Sequence, residues 1–412
     1  MHFLIRHHGS NDHSFTYMLN KGLPVNPALE VIHKAIRPEG ILALAEDAEN
    51  YQRVWARDAS IAGIAGLLHD DVRIIQALQN SIITLANHQA KTGAIPSNVI
   101  PGSGKTSYGS LAGRVDATTW WLIAAAICFQ KSNDQEFYRQ IHPKINKAFE
   151  VLEAWEFNER HLIYTPLSGN WADEYPLHGY LLYDNCLRLW ALRAWASLTK
   201  NPQLIEKSKW VTDSIVSNFW PSSGASNIYH PKLEFDQNQK YWLAGFHPGG
   251  PYSGIFDAAG NAFACLLGLS THQQTQHIYN YLQSVSVELG KNLIPAFWPV
   301  INEGDPRWLD LAHNYAYHFK NAPHHFHNGG AWPVMSGWLI LALGQSGFEE
   351  ETLPWVQEMI PYLEDGRQAF PEYIDTQYFK AGGKSRLCFS AAGCLLAATH
   401  NNESIKSKLC LL

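Results

Sequence analysis

The sequence predicts an all-α protein folded as an (α/α)6 barrel, and two patterns indicate it. Apolar residues recur at intervals of three and four residues in about twelve segments, which is the period of helices with one buried face. Very short connections, as at 69–71 and 132–133, alternate with much longer ones. Because helices joined by short turns pack as antiparallel neighbours, six hairpins with long connections at one end predict inner and outer helices around a cleft.

The predicted helices follow one another with no linker rich in Ser, Gly or Pro. They cover residues 26–37, 59–69, 72–91, 116–131, 134–156, 179–199, 202–219, 254–269, 271–288, 329–345, 348–364 and 386–400. In the third of these, Ile74, Leu78 and Ile82 fall on one helical face. We therefore expect a single barrel domain over residues 26–412, preceded by an N-terminal extension of residues 1–25.

Five of the connections are long, at residues 92–115, 157–178, 220–253, 289–328 and 365–385. Long connections inside a compact domain are usually functional. We expect them to build the cleft at one end of the barrel.

The composition limits the class of partner. The chain has 412 residues with 15 Trp, 18 Tyr and 18 Phe, and its formal net charge is -6. Aromatic rings with a polar edge suit the apolar faces and hydroxyl rims of sugars, whereas scattered basic residues do not suit nucleic acid or an anionic membrane. The predicted substrate is a small neutral sugar. The sequence leaves open whether the chain forms a homo-oligomer.

The cysteines and the first residues indicate a cytoplasmic protein. None of the six cysteines forms a Cys-x-x-Cys pair, which favours free thiols in a reducing compartment. The first residues lack the apolar stretch of a signal peptide, and no segment is long and apolar enough for a membrane span.

Residues 168–179 hold two adjacent carboxylates, Asp173 and Glu174, beside Trp171 in a predicted loop. An indole neighbour raises the pKa of a carboxyl by partial desolvation, which suits a general acid. The alternative is that one of the two carboxylates caps the helix that begins near His178.

Two further carboxylates stand at predicted helix starts beside basic and aromatic residues. Asp58 follows Trp55 and Arg57, and Asp116 precedes Trp120. A helix cap explains either carboxylate, with an ion pair to Arg57 in the first case. The neighbouring guanidinium and indole groups favour contact with the hydroxyl groups of a ligand.

Three histidines, His324, His325 and His327, lie in a predicted loop next to Gly329 and Gly330. They lack the i, i+4 spacing and the acidic partner of a zinc site. We expect no metal there, but a loop of hydrogen-bond donors that the two glycines allow to approach a ligand closely.

Glu372 lies in the long connection predicted at residues 365–385, between Phe370 and Tyr373. The Gly-Lys-Ser string that starts at Gly383 lacks the full spacing and the preceding strand of a phosphate loop. Together with Asp173, Glu372 supplies the two carboxylates of glycoside hydrolysis, in which one protonates the leaving oxygen and the other activates water. No metal or organic cofactor is then required.

The order and spacing of these motifs resemble the alkaline/neutral invertase family over nearly the whole chain from residue 50 onward. The motifs are Arg57-Asp58, Arg114-Val115-Asp116 with Trp120-Trp121, Ala172-Asp173 with His178-Gly179, His327-Asn328-Gly329-Gly330-Ala331-Trp332-Pro333, Pro371-Glu372-Tyr373-Ile374-Asp375 and Gly383-Lys384-Ser385-Arg386. The first half also resembles amylo-α-1,6-glucosidases through Trp55-Ala56-Arg57-Asp58, Ala94-Ile95-Pro96 and Asp116-Ala117-Thr118.

The resemblance implies an (α/α)6 barrel that acts by inversion, with Asp173 as general acid and Glu372 as general base. Nine residues would line the pocket for the glycone: Arg57, Asp58, Asp116, His178, His327, Asn328, Trp332, Lys384 and Arg386. The indoles of Trp55, Trp120 and Trp171 are further candidates for substrate contact, since they stand next to the carboxylates in sequence.

The chain departs from the family where specificity is set. Glu174, Tyr175 and Pro176 replace a basic pair and a Met, and a Tyr at or near Tyr183 stands where the family has a Glu. About 25 residues precede the first predicted helix, where debranching enzymes carry an additional domain for their polymer, and this favours a short substrate.

The sequence therefore predicts an inverting hydrolase of a small, sucrose-like α-glucoside. The alternatives are an α-1,6-glucosidase or another exo-α-glucosidase and, from a different class, a non-catalytic sugar-binding barrel. A binding protein needs no acid and base on opposite sides of a bond, and this favours an enzyme.

Overall fold

The computed structural model describes residues 22–46, 50–109 and 112–411, and within these residues the helices form two layers. In chain order they are α1 (Val25–Ala35), α2 (Ala56–Leu68), α3 (Val72–Asn87), α4 (Val115–Ser132), α5 (Gln135–Ala154), α6 (Leu182–Thr199), α7 (Pro202–Phe219), α8 (Ala258–Leu266), α9 (His272–Leu289), α10 (Trp308–Ala312), α11 (Pro333–Gly344), α12 (Leu353–Glu364), α13 (Cys388–Ala398) and α14 (Ile405–Lys408). A 3-10 turn covers Gly366–Gln368.

Six of these helices form a closed inner ring, which confirms the predicted (α/α)6 barrel. Contacts run from α2 to α4, α6, α8, α11 and α13 in turn, and from α13 back to α2. The helices α1, α3, α5, α7, α9 and α12 lie outside the ring. The predicted short connections are also present, because α3 starts four residues after the end of α2, and α5 three residues after the end of α4.

The inner helices are buried on all sides, whereas the outer helices bury one face. Every residue of α11 and of α13 is buried. These two helices touch through backbone, since a Cβ atom on Gly337 would lie 2.2 Å from the carbonyl oxygen of Gly393. Outer helix α3 instead buries Ile74, Leu78 and Ile82 on the predicted face.

Helix starts differ from the predicted ones where a cap or a proline fixes them. The helix predicted from residue 254 begins at Ala258, because Asp257 caps it by accepting a hydrogen bond from the Gly260 amide at 3.1 Å. The helix predicted from residue 329 begins at Pro333, and a proline suits the first turn because its missing N–H has no partner there.

Short antiparallel strands, which the sequence analysis did not predict, join the loops to one another. They are β1 (Ile36–Arg37), β2 (Gly40–Ile41), β3 (Val54–Trp55), β4 (Asn98–Val99), β5 (Thr106–Ser107), β6 (Tyr180–Leu181), β7 (Gly245–His247), β8 (Gly250–Pro251), β9 (Phe256–Asp257), β10 (Phe297–Trp298), β11 (Tyr373–Ile374) and β12 (Ala381–Gly382). The pairings are β1–β2, β3–β4–β5, β6–β7–β8, β9–β10 and β11–β12.

Each inner helix is preceded by a long connection, so all six helix N-termini face the same end of the barrel. The first to sixth connections cover residues 36–55, 88–114, 155–181, 220–257, 290–332 and 365–387. The first of these six was not among the five long connections predicted from the sequence. Residues 1–21, most of the predicted extension, lie outside the described residues. Within the described ranges no helix has the length and apolar character needed to cross a membrane.

The cap of α8 predicts a pH dependence of stability. Burial raises the pKa of Asp257 to about 7, whereas the pKa of an Asp in the unfolded chain is about 3.9. Between these values the folded chain keeps a proton that the unfolded chain has lost, so this contribution to stability is lost as pH rises through the folded pKa. Asp257→Asn keeps a neutral cap. Relative to wild type, its free energy of unfolding should rise by roughly 4 kcal/mol between pH 4 and 8 in urea titrations. Parallel pH profiles of the two proteins would contradict this.

Candidate active site

The two predicted catalytic carboxylates lie at the end of the barrel where the inner helices begin. Asp173 comes from the third long connection and Glu372 from the sixth. Tyr51, from the first connection, lies near both carboxylates. Burial raises its pKa, and so do the negative charges of Glu372, Asp58 and Asp173. Three connections therefore bring these ionisable groups into one mouth.

Arg57 and Asp116 form a buried ion pair at the floor of this mouth. Arg57 Nη1 donates to Asp116 Oδ2 at 3.1 Å, and its Nη2 lies 3.4 Å from Asp58 Oδ2. The guanidinium also lies over the ring of Phe389, 5.6 Å from its centre. Burial opposes the charge of Arg57, but Asp116 and Asp58 raise its pKa on balance. The guanidinium is thus charged and fixed in orientation.

Asp58 accepts no hydrogen bond at one of its carboxyl oxygens. Among the described residues its buried Oδ2 has only the ion-pair contact with Arg57 Nη2, at 3.4 Å. Burial raises the pKa of Asp58, although Arg57 opposes the shift. A buried carboxyl oxygen without a donor suits a hydroxyl group of a ligand.

Asp173 is held by Arg114, the residue before helix α4. Arg114 Nη1 donates to the carbonyl oxygen of Asn170 at 2.8 Å, and its Nη2 donates to Asp173 Oδ2. The amide of Val115 donates to the carbonyl oxygen of Gly169 at 2.7 Å. The start of α4 therefore fixes the backbone and the carboxylate of this segment together.

Glu372 is held by neutral donors instead. Tyr51 OH donates to its Oε1 at 2.9 Å, and the amide of Lys384 donates to its Oε2 at 3.2 Å. The backbone amide of Glu372 in turn donates to the carbonyl oxygen of Lys384 at 2.7 Å. Gly383, with φ of +73°, leaves space for the carboxylate. Both carboxyl oxygens are therefore oriented by the protein.

The two carboxyls have opposite pKa shifts, and one of these corrects an expectation. Burial raises the pKa of Asp173, but the positive charge of Arg114 holds it below its usual range. The predicted rise beside Trp171 is therefore wrong for Asp173, although burial does raise the pKa of Glu174. Burial likewise raises the pKa of Glu372, against the hydrogen bond from Tyr51.

Trp171, His327 and Trp332 form one side of the mouth. The rings of His327 and Trp332 stack at 5.2 Å, and Trp171 meets both edge-on at 5.0 and 5.4 Å. Burial lowers the pKa of His327 to about 3, so its imidazole is neutral. Trp171 Nε1 and His327 Nδ1 are buried and lack hydrogen-bond partners in the described part of the chain.

Two residues predicted to contact the substrate, Trp120 and Asn328, are fully buried away from the mouth. Their role is instead to support the residues around them. Trp120 is fully buried at the centre of the barrel against Trp190, Phe263 and Trp338, with ring centres 5.6 to 5.9 Å from its own. Its Nε1 donates to Tyr183 OH at 2.8 Å, and Tyr183 OH lies 3.5 Å from Asp116 Oδ2. Trp120 therefore stands beneath the floor and supports it.

Asn328 is the second such residue. Its Nδ2 donates to the carbonyl oxygen of Ile301 at 2.9 Å and to that of Asn321 at 3.1 Å, and its Oδ1 accepts from the Ile301 amide at 2.7 Å. Its side chain is fully engaged in joining loop backbones. No polar atom of the side chain is left for a sugar.

Four other predicted contacts lie at the rim. Trp55 Nε1 donates to the carbonyl oxygen of Asn50, and His178 is 3.2 Å from Tyr252 OH. Lys384 is exposed, and its backbone amide, not its side chain, donates to Glu372 Oε2. Arg386 is exposed and pairs with Glu46 at 2.7 Å.

Tyr51, and Lys320 with its Nζ 3.8 Å from Glu174 Oε1, lie at the site and were not predicted from the sequence. Neither lies in a recognisable motif, and Tyr51 meets Glu372 across 321 positions of sequence. Arg114 was quoted in a motif but was not predicted to hold Asp173. Its position before Asp116, in the style of Arg57 before Asp58, was the available signal.

Among the described residues, neither a metal cluster nor the cavity over the fourth connection competes with this site. Among the described residues no group of three His, Cys, Asp or Glu side chains could hold a metal ion. A separate cavity of about 410 Å³ lies over the fourth connection, between residues such as Lys232, Tyr241 and Tyr281. It contains none of the predicted site residues.

Comparison with known proteins agrees with the fold. The family model for alkaline and neutral invertase matches residues 227–403, and that for amylo-alpha-1,6-glucosidase matches residues 31–158. A probable alkaline/neutral invertase F of Arabidopsis thaliana is 22% identical over 438 residues, covering 88% of this chain and 83% of the relative. Cytosolic invertase 1 of Oryza sativa subsp. japonica is 23% identical, covering 90% and 77%.

The chain is shorter than these relatives. It spans 62% of the length of the probable alkaline/neutral invertase A of Arabidopsis thaliana, which is 24% identical over 82% of this chain. Among solved structures, the GH63 mannosylglycerate hydrolase from Thermus thermophilus superposes with a TM-score of 0.67 at 13% identity, covering 90% of this chain and 99% of that one. A rhamnosidase from Klebsiella oxytoca superposes with a TM-score of 0.60 at 13% identity, covering 92% and 63%.

The family-model matches, the relatives and the fold together support a glycoside hydrolase of the (α/α)6-barrel type. Within that class the chain is similar to the alkaline and neutral invertases and, in its first half, to the amylo-alpha-1,6-glucosidases. Both resemblances predicted from the motifs are confirmed.

The fit of Gly383 against Glu372 gives a prediction. A Cβ atom on Gly383 would lie 2.3 Å from Glu372 Oε2 and 2.6 Å from its Cβ, so Gly383→Ala must displace the whole side chain. A displaced catalytic group costs roughly 100-fold in rate. We expect kcat/KM for hydrolysis of a glucoside to fall by about that factor in steady-state assays.

Gly268→Ala is the matched control. Gly268 has a similar φ of +67°, but a Cβ atom there meets nothing within 4 Å. Both variants carry the same left-handed backbone strain, of about 1 to 2 kcal/mol. If Gly383→Ala were as active as Gly268→Ala, Glu372 would not need its observed position.

Proposed function

We propose that the chain is an inverting hydrolase of a small, sucrose-like α-glucoside, with Asp173 as general acid and Glu372 as general base. The observation that carries the proposal is the pair of carboxyls on two connections of one mouth, each held by its own donors. Inverting hydrolysis needs such a pair on opposite sides of the scissile bond.

In the proposed reaction a water molecule attacks the anomeric carbon while the glycosidic C–O bond breaks. Glu372 takes a proton from the water, and Asp173 gives a proton to the leaving oxygen. The oxygen of water ends on the face opposite the departed group. Proton exchange with solvent then returns both carboxyls to their starting states.

Arg114 leaves one oxygen of Asp173 for this proton. Since Arg114 binds Oδ2, Oδ1 is the atom that faces a leaving oxygen. In the free protein the Asp173 side chain is 35% exposed and favours the ionised form. A bound sugar removes the remaining water from Asp173, and desolvation favours the protonated form. Substrate binding and protonation of the acid are therefore linked in this account.

Glu372 meets the requirements of a base. Tyr51 and the Lys384 amide are donors, so both oxygens are acceptors and the ionised form is oriented. Burial raises the pKa of Glu372, which makes its carboxylate a stronger base. These features support the role that the family resemblance implies.

The glycone would bind between the ion pair on the floor and the aromatic side. Arg57 is a charged donor, and Asp58 Oδ2 is an acceptor that pairs with Arg57 but accepts no hydrogen bond. Trp171 and His327 add the unpartnered Nε1 and Nδ1. Donors and acceptors that converge on one space, with indole rings beside them, suit a neutral pyranose with its ring of hydroxyl groups.

The choice of substrate rests on the relatives. The relatives named above are invertases, which supports sucrose or a similar disaccharide. The alternative is an α-1,6-glucosidase, because the amylo-alpha-1,6-glucosidase model matches residues 31–158, which contain Arg57, Asp58 and Asp116.

A panel of sugars tests the proposal. Purified protein is incubated with sucrose, maltose, isomaltose, trehalose and a branched dextrin, and free glucose is measured. We expect glucose from sucrose and none from isomaltose or dextrin. Release from isomaltose or dextrin with sucrose intact would favour the α-1,6-glucosidase, and no release from any sugar would contradict the proposal.

Glu372→Gln is the control for the catalytic assignment. It keeps the size of the side chain but removes the base, and we expect turnover to fall by about 100- to 10,000-fold. Sugar binding, measured by calorimetry, should remain close to wild type. Glu303→Gln, an exposed change in the fifth connection, should leave turnover unchanged. Full activity of Glu372→Gln would remove Glu372 from the mechanism.

A further inference from the structure

Glu174 has no part in the steps above, yet it is buried beside the proposed acid. Only 8% of Glu174 is exposed. Its carbonyl oxygen accepts from Asn321 Nδ2 at 2.9 Å, and its Oε1 lies 3.8 Å from Lys320 Nζ. The carbonyl oxygen of Asp173 accepts from Asn314 Nδ2 at 3.4 Å. Residues 314–321 of the fifth connection are thus attached to the two carboxylate residues.

The far end of this 314–321 segment is attached to the aromatic side of the mouth. Asn321 Oδ1 accepts from the amides of His327 and Asn328, at 2.9 and 3.2 Å. Lys320 Nζ lies over the ring of Phe326, 4.8 Å from its centre. The segment therefore bridges from the acid to the aromatic side.

Between its ends the segment is exposed and carries two tyrosines. Tyr315 is 45% exposed and Tyr317 is 87% exposed. Such rings are apolar on the face and polar at the edge, a combination suited to sugar rings. Since a general acid contacts the leaving oxygen, the group that departs must lie next to Asp173 and therefore next to this segment.

Glu174 also has one carboxyl oxygen without a donor. Its Oε2 is buried and has no hydrogen-bond partner among the described residues. A buried acceptor without a donor is costly unless a ligand or water satisfies it. Its place beside the acid suits a hydroxyl group of the leaving sugar.

We propose that Glu174, through the contact of its Oε1 with Lys320 Nζ, is a positioning residue that holds the 314–321 segment against Asp173. This segment, through Tyr315, forms a wall of the subsite for a sugar-sized leaving group. The inference rests on the proposed function, since it assigns a leaving group to the acid side of that site.

The test compares two leaving groups. One substrate is the disaccharide that wild type hydrolyses best, and the other is α-glucosyl fluoride, whose single-atom leaving group cannot reach the wall and needs little proton donation. We expect Glu174→Ala to lower kcat/KM for the disaccharide by about tenfold or more, with a raised KM, and to change the fluoride by less than about twofold. Glu174→Gln, which keeps the size and the acceptor, should restore most of the loss.

Tyr315→Ala tests the wall without disturbing a buried residue. It should show the same selective loss with the disaccharide, and it keeps the inference testable if Glu174→Ala fails to fold. Glu303→Ala, exposed on the same connection, should change neither rate. Equal losses on both substrates, or no loss on either, would overturn the inference. If wild type hydrolysed neither substrate, the proposed function itself would fail, and that outcome is separate from these.

Discussion

The guanidinium of Arg57, buried between Asp116 and Asp58 at the first turns of α2 and α4, is the contact on which the mouth of the barrel depends. Each buried charge costs several kcal/mol of desolvation unless a partner offsets it, so removing either partner leaves a charge uncompensated. The pair is supported from below, since Trp120 donates to Tyr183 and Tyr183 approaches Asp116. The packing of the barrel centre therefore fixes the polar floor.

The same end of the barrel holds its two main carboxyls in different ways. Asp173 is paired with a cation, whereas Glu372 accepts from a phenol and an amide. The cation favours a charged Asp173 until a sugar displaces water, while the neutral donors orient Glu372 and let burial make it more basic. This difference suits the two similar side chains to the unlike parts that the proposed mechanism gives them. In that proposal Arg114 is among the groups that control the acid.

The barrel could be predicted from the sequence because helical period and short turns are local properties. Ile74, Leu78 and Ile82 show the period, and they are buried where it places them. Two helices begin later than the apolar pattern predicts, because the cap at Asp257 and the proline at Pro333 fix their first residues. The two-residue strands have too little sequence to show a period of two.

The parts of the site that escaped prediction depend on contacts between distant connections. Tyr51 reaches Glu372 and Asn321 reaches Glu174 only once the barrel has closed. Trp120 resembled a contact residue in sequence because it follows Asp116 by four positions. Its direction into the core is set by Trp190 and Trp338, which come from other helices.

The central claim is that Asp173 and Glu372 act from opposite sides of the bond, and the anomer of the first product tests it most directly. Proton NMR, recorded while the enzyme hydrolyses the best α-glucoside, follows the two anomers of glucose before they interconvert. The account predicts that β-glucose appears first and that the α-anomer grows in only by mutarotation. Early appearance of α-glucose would show retention and would contradict the assignment of Glu372 as a base acting on water.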